Sequence, residues 1–143
     1  MKTRVEIVYK PDRSTKLRQP IFTARVPAGF PSPAADYEEG KLDLNKHLIR
    51  NPAATFFVRV TGDSMVKAGI HDGDMLVVDR SIEPRDKNVV IAAINGELTV
   101  KRIRIRKNKL TLEAENENYQ SREIDEEMEF EVWGVVTNVI HAL

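Results

Sequence analysis

Val89-Val90-Ile91-Ala92-Ala93-Ile94-Asn95-Gly96-Glu97-Leu98-Thr99-Val100-Lys101-Arg102-Ile103-Arg104-Ile105-Arg106 decides the fold class. Asn and Gly tolerate positive φ, which both positions of a two-residue hairpin loop demand. Asn95-Gly96 between two runs rich in β-branched residues therefore predicts a tight antiparallel hairpin. Side chains alternate faces along a strand. Thr99, Lys101, Ile103 and Ile105 share one face of the second run, and Arg102, Arg104 and Arg106 share the other. Lys101 is the one basic residue here that points with the isoleucines.

The pattern continues on both sides. Residues 55–61, 74–79, 109–114 and 130–140 read as further strands, with turns at Asp72-Gly73 and Lys107-Asn108. One short helix is predicted over residues 44–50. Asp43 caps it, Leu44, Leu48 and Ile49 form its inner face, and Pro52 stops it. Upstream the character changes, because five of the seven prolines (Pro11, Pro20, Pro27, Pro31 and Pro33) fall within the first 40 residues. Proline removes a backbone donor and biases its predecessor toward extended geometry, so residues 26–33 should be extended. Short β pieces are expected at 4–9 and 21–25. The expected architecture is mostly β: a compact antiparallel domain with one short helix and an extended N-terminal arm.

Composition sets limits on the chemistry. The 143 residues suit one domain, and 41% hydrophobic with 31% charged residues is the balance of a soluble globular protein. The absence of cysteine removes disulfides and thiolate metal sites and fits a cytoplasmic location. His47, His71 and His141 have no metal-ligand spacing, so neither a metal nor another cofactor is expected. The longest apolar run, residues 89–94, falls well short of the ~20 residues that a membrane-spanning helix needs. Net charge is zero but unevenly placed. Residues 1–28 hold Lys2, Arg4, Lys10, Arg13, Lys16, Arg18 and Arg25 against Glu6 and Asp12, which leaves the arm at +5 and the rest at −5.

Thr61-Gly62-Asp63-Ser64-Met65 carries the candidate nucleophile. A strand ends, Gly62 permits a sharp turn, and the backbone N–H groups of Ser64 and Met65 can form an oxyanion hole. A nucleophilic serine needs a base, and three present themselves. His71 with Asp72 or Asp74 completes a triad on paper only, since nothing fixes its geometry. Lys67 makes a Ser-x-x-Lys pattern, but the S-D-N and K-T-G motifs that accompany it in penicillin-recognising enzymes do not occur. Lys101, held among apolar groups, would lose solvation of its charged form and could take the serine proton as a neutral amine. The residue pattern leaves these open.

A substrate also lies within the chain. Ala28 and Gly29 are small residues flanking one peptide bond in a proline-bounded extended segment, which could dock by adding a strand to a sheet edge. Ser64 follows Gly29 by 35 residues, so the linker can reach. Arg102, Arg104, Arg106, Lys107 and Lys109 form a basic cluster that reads as a solvated strand face, with direct nucleic-acid contact as the alternative. The acidic stretch 113–131 reads as surface.

Several segments together resemble a known family. These are Ala28-Gly29-Phe30-Pro31-Ser32-Pro33-Ala34-Ala35-Asp36-Tyr37, Gly62-Asp63-Ser64-Met65, Gly69-Ile70-His71-Asp72-Gly73-Asp74, Gly96-Glu97-Leu98-Thr99-Val100-Lys101 and Gly134-Val135-Val136. In order and spacing they resemble UmuD and its plasmid relatives such as MucA, the short self-cleaving members of the LexA-type peptidases. The resemblance covers residues 28–143. It implies a LexA/signal-peptidase-like β domain, Ser64 as nucleophile, Lys101 as general base and a scissile Ala28–Gly29 bond. It further implies an arm of residues 1–28 removed by self-cleavage, a linker of 29–45 and a peptidase and dimerisation domain of 46–143. The implied partners are a second copy of the chain, a RecA filament on single-stranded DNA that stimulates cleavage, and a UmuC-like Y-family polymerase for translesion synthesis in the SOS response. UmuD has cysteine where this chain has Ala28, while Ala–Gly is the bond that LexA-type repressors cleave. The chain leaves no room for those repressors' DNA-binding domain, which argues against a transcriptional repressor.

Overall fold

The computed structural model describes residues 3–11, 18–22 and 38–143. It divides into two compact units, Met1–Pro11 with Asn51–Leu143, and Asp12–Arg50.

The larger unit is a closed antiparallel β barrel. Its strands are β1 (Arg4–Tyr9), β4 (Thr55–Thr61), β5 (Met75–Asp79), β6 (Val89–Ile94), β7 (Glu97–Arg106), β8 (Lys109–Glu113), β9 (Arg122–Glu123) and β10 (Phe130–Ile140). They pair in the order β1-β4-β5-β10-β6-β7, and β7 returns to β1 through Arg4↔Thr99, which closes the ring. β8 and β9 extend the sheet beyond β7.

Alternation explains which residues line the interior. On β4, Phe56, Val58 and Val60 are buried, while Phe57 and Arg59 between them are partly exposed. With Met65, Ile70, Leu76, Val78, Ile91 and Val100 they form one core cluster. Val90, Ala92, Ile94, Ile103, Leu112 and Val135 form another. Each such Val, Leu or Ile contributes about 1.5–3 kcal/mol relative to an exposed side chain. β10 serves two partners, pairing with β6 over Phe130 to Val135 and with β5 from Val135 to Ile140. Register shifts between Val132 and Gly134 and between Val136 and Asn138 let this long strand bend around the barrel.

The predicted turns are present. Asn95 and Gly96 have φ of 49° and 82°, and Lys107 and Asn108 have φ of 50° and 63°. Strand limits shift slightly: β5 starts at Met75, since the Asp74 carboxylate accepts the His71 N–H and belongs to the preceding turn. Ile105, expected to share the inner face of β7, is 41% exposed. The pairing of β6 with β7 ends at Arg102, so Ile105 has β8 alone beside it.

In the smaller unit β2 (Arg18–Phe22) pairs antiparallel with β3 (Glu38–Asp43), and the helix α1 (Leu44–Leu48) follows. Asp43 Oδ1 accepts the Asn45 N–H at 3.0 Å, the predicted cap. Leu44 is 40% exposed rather than on an inner face. β2 includes residues 21 and 22 of the expected 21–25 and starts earlier, at Arg18, while residues 23–25 lie outside the described residues. Residues 26–33, including Ala28 and Gly29, lie outside the described residues.

Candidate active site

β4 ends at Thr61, and Gly62 turns the chain with φ of 99°. The Gly62 N–H donates to Asp72 Oδ1 at 2.8 Å, tying this turn to the one before β5. Met65 is fully buried in the first core cluster. Its carbonyl accepts the N–H groups of Ala68 and Ile70 at 3.0 and 3.2 Å. Ser64 is thus held between a glycine turn and a core anchor, and it too is fully buried.

Strand β7 brings Lys101 to it. Lys101 is 9% exposed, and its Nζ donates to Ser64 Oγ at 2.9 Å. A neutral amine at that distance would instead accept the hydroxyl proton. The alternation that sorted Lys101 from the arginines of β7 also sorts their surroundings. Arg102 pairs with Glu115 and donates to the Lys87 carbonyl. Arg104 pairs with Asp86 at 3.1 Å and Glu113 at 3.5 Å, and Lys109 lies 4.0 Å from Glu123. Much of the basic cluster is therefore neutralised by acidic neighbours, which weakens the nucleic-acid reading.

The rival bases are engaged elsewhere. Lys67 Nζ pairs with Glu117. His71 and Asp74 pair with each other and with His141.

Two features were not legible in the sequence. The segment after β8 clamps the turn that carries Ser64. Asn116 Nδ2 donates to the Asp63 carbonyl at 2.9 Å, Tyr119 OH donates to Asp63 Oδ1 at 2.6 Å, and the Lys67 N–H donates to the Glu115 carbonyl at 2.9 Å. The Tyr119 hydroxyl holds the Asp63 carboxyl below its ordinary value, and the carboxylate in turn raises the Tyr119 phenol. Nothing local marks these residues, because their partners lie more than 45 positions away. A cleft of about 420 Å³, lined in part by Thr99, Lys101, Leu112 and Tyr119, opens beside this clamp.

The second feature is β1, which lies between β4 and β7, with Arg4 opposite both Thr61 and Thr99. The preceding Thr3 N–H donates to Ser64 Oγ at 2.8 Å, and Thr99 Oγ1 reaches the Thr3 carbonyl at 3.5 Å. An extended strand can therefore run directly over the serine.

The Peptidase S24-like family model matches residues 20–137. Protein SamA of Salmonella typhimurium is 51% identical over 122 residues, covering 85% of this chain and 84% of SamA. Protein ImpA of Escherichia coli is 49% identical over 123 residues, covering 86% and 83%. Protein MucA of Escherichia coli is 44% identical over 120 residues, covering 83% and 82%.

Proposed function

This chain belongs to the Peptidase S24-like family, and from that premise we propose that it is a self-cleaving serine peptidase with Ser64 as nucleophile and Lys101 as general base. The observation that carries the reading is the 2.9 Å approach of Lys101 Nζ to a fully buried Ser64 Oγ. Burial disfavours an ammonium ion, and a neutral amine is what the first step requires.

The substrate is the chain's own Ala28–Gly29 bond. Neutral Lys101 takes the Ser64 hydroxyl proton as Oγ attacks the Ala28 carbonyl carbon. The backbone N–H groups of Ser64 and Met65 receive the oxyanion. Protonated Lys101 then gives its proton to the departing Gly29 nitrogen, leaving Ala28 esterified to Ser64. A water deprotonated by Lys101 hydrolyses the ester and restores the pair. The β1 pairing between β4 and β7 supports strand addition as the mode in which an extended substrate docks.

Kinship with MucA and its relatives supports placing the proposed cleavage in an SOS-mutagenesis setting. In this reading cleavage is stimulated by a RecA filament on single-stranded DNA, and residues 29–143 then serve, as a cytoplasmic homodimer, as accessory subunit to a Y-family translesion polymerase in the SOS response. Residues 1–28 carry +5, so their removal leaves a fragment of net charge −5 and uncovers an acidic surface for the polymerase.

The test is a mass spectrum after incubation at alkaline pH. Wild type should yield residues 29–143, and Ser64→Ala and Lys101→Ala should stay intact. An intact wild type, or cleavage surviving in Ser64→Ala, overturns the assignment.

A further inference from the structure

His71, Asp74 and His141 meet where the turn before β5 lies beside the end of β10, and none of them touches the Ser64–Lys101 pair in the contacts described above. His71 and His141 are 70 positions apart, so sequence spacing hid the cluster. The Met75↔Ile140 pairing of β5 with β10 creates it, bringing Asp74, just before β5, beside His141, just after β10. Asp74 is fixed between the imidazoles. Its Oδ1 lies 2.5 Å from His141 Nδ1, and its Oδ2 accepts the His71 N–H at 2.7 Å and lies 3.7 Å from His71 Nδ1. The carboxylate side chain is only 2% exposed, whereas the His71 and His141 side chains are 51% and 45% exposed. The two rings stand with centroids 4.8 Å apart, tilted by 40°.

We propose that these three side chains form a binding site for a divalent transition-metal ion of the zinc type. Each residue offers one ligand atom, and all three atoms lie within 4.8 Å of one another. Tetrahedral zinc with bonds of about 2.1 Å needs ligand atoms about 3.4 Å apart, so closing the site takes small rotations of two exposed imidazoles. Two imidazoles and one carboxylate suit zinc, cobalt or nickel and not magnesium or calcium, which favour all-oxygen sets. The buried carboxylate is the rigid member, since the His71 N–H already orients it. Water fills the remaining position on the exposed side. Ligation through Nδ1 puts the imidazole proton of His141 on Nε2, and the ion replaces the hydrogen-bonding contact between His141 and Asp74.

The site has a structural consequence. Residues 71–74 form the turn whose Asp72 side chain accepts the Gly62 N–H, and whose Gly73 carbonyl accepts from Arg59 at 2.8 Å. An ion joining this turn to His141 ties the end of β10 to the turn that supports Ser64. Stabilisation then rises with free metal as for any ligand of the folded state.

Isothermal titration of the full chain with zinc chloride, paralleled by cobalt chloride absorption spectra, tests this. One ion per chain should bind in the micromolar range, with the visible bands of tetrahedral cobalt and a raised melting midpoint. His71→Ala and His141→Ala should each weaken binding by about tenfold or more, the scale on which lost coordination partners act. His47→Ala and magnesium chloride serve as controls that leave the zinc isotherm unchanged. His71→Ala keeps the backbone N–H that orients Asp74 and should hold the metal-free melting midpoint, whereas His141→Ala removes a hydrogen bond from the buried carboxylate and should lower it, so each isotherm is recorded well below that variant's own midpoint, which separates lost binding from lost folding. Millimolar affinity in wild type, or undiminished affinity in both His71→Ala and His141→Ala, overturns the proposal.

Discussion

The Thr3 N–H donates to Ser64 Oγ at 2.8 Å, a contact across 61 positions of sequence between the start of the chain and the candidate nucleophile. The Thr3 hydroxyl beside it is buried and has no hydrogen-bond partner among the described residues. An unsatisfied buried hydroxyl costs about 1–3 kcal/mol, so Thr3 occupies the slot imperfectly. Thr3→Val keeps the shape and removes the orphaned group, and should raise stability by about 1 kcal/mol, read as a higher urea midpoint with unchanged slope. Thr3→Pro removes the N–H on Ser64 and sets a ring carbon against Oγ, which unseats the start of β1 from the serine. If β1 shields the slot that a substrate strand needs, Thr3→Pro should cleave itself faster at alkaline pH. Slower cleavage would mean that the contact orients Ser64 instead.

The Lys101–Ser64 pair predicts a specific pH dependence. The proposed reaction needs Lys101 neutral, and the neutral fraction of an amine rises tenfold per pH unit below its pKa. Unassisted cleavage should therefore climb with pH and level off once Lys101 is deprotonated. Lys101→Met fills a similar volume without the amine. It should lower the rate by about 10²–10⁴-fold, the usual scale of a lost general base, and abolish the pH dependence. The urea midpoint should not fall, because a buried amine is replaced by an apolar chain. A rate that falls as pH rises would exclude Lys101 as the base.

The Tyr119–Asp63 hydrogen bond should show at both ends of the pH scale. The Asp63 carboxyl lies below its ordinary 3.8, chiefly because of Tyr119, so its contribution is present above 3.8 and lost as pH falls through the lowered value. Tyr119 lies above its ordinary 10.0, chiefly because of Asp63, so its contribution is present below 10.0 and lost as pH rises through the raised value. The difference in urea midpoint between wild type and Tyr119→Phe should be flat near neutrality and shrink at both extremes. Asp63 is exposed and Tyr119 half-buried, and their hydrogen bond faces solvent, so the difference should be small and reduced by salt. A difference that grows toward acid would contradict the assignment.

What could be read in the sequence was local. Asn95-Gly96 and Lys107-Asn108 sit at positive φ because neighbouring residues demand it, and period-two alternation predicted β4 at its observed limits. Lys101 was separable from Arg102 and Arg104 for the same reason, since facing depends on parity alone. What needed the closed ring was hidden. The seat of β1 beside Ser64 depends on β4 and β7 both pairing with Arg4. The clamp of Asn116 and Tyr119 on Asp63 joins segments more than 50 positions apart, and the meeting of His71 with His141 requires β5 to pair with β10. These contacts are set by strand order, which periodicity does not encode.

Gly134 tests how tightly that strand order is packed. It lies where β10 is bulged on the β6 side and crosses toward β5. A Cβ there would stand 2.7 Å from Val78 Cγ1 and 3.1 Å from the Asp79 carbonyl oxygen. Val78 is fully buried in the first core cluster and has no open space to retreat into, and the carbonyl is backbone. Gly134→Ala should therefore destabilise by about 1–3 kcal/mol, the usual cost of overpacking. The second variant Val78→Ala removes the nearer obstacle and creates a cavity of its own. Combined with Gly134→Ala it should cost less than the sum of the two single changes, a coupling that a double-mutant cycle in urea reads directly. Strict additivity would mean that the Gly134 methyl is accommodated by the Asp79 backbone rather than by Val78.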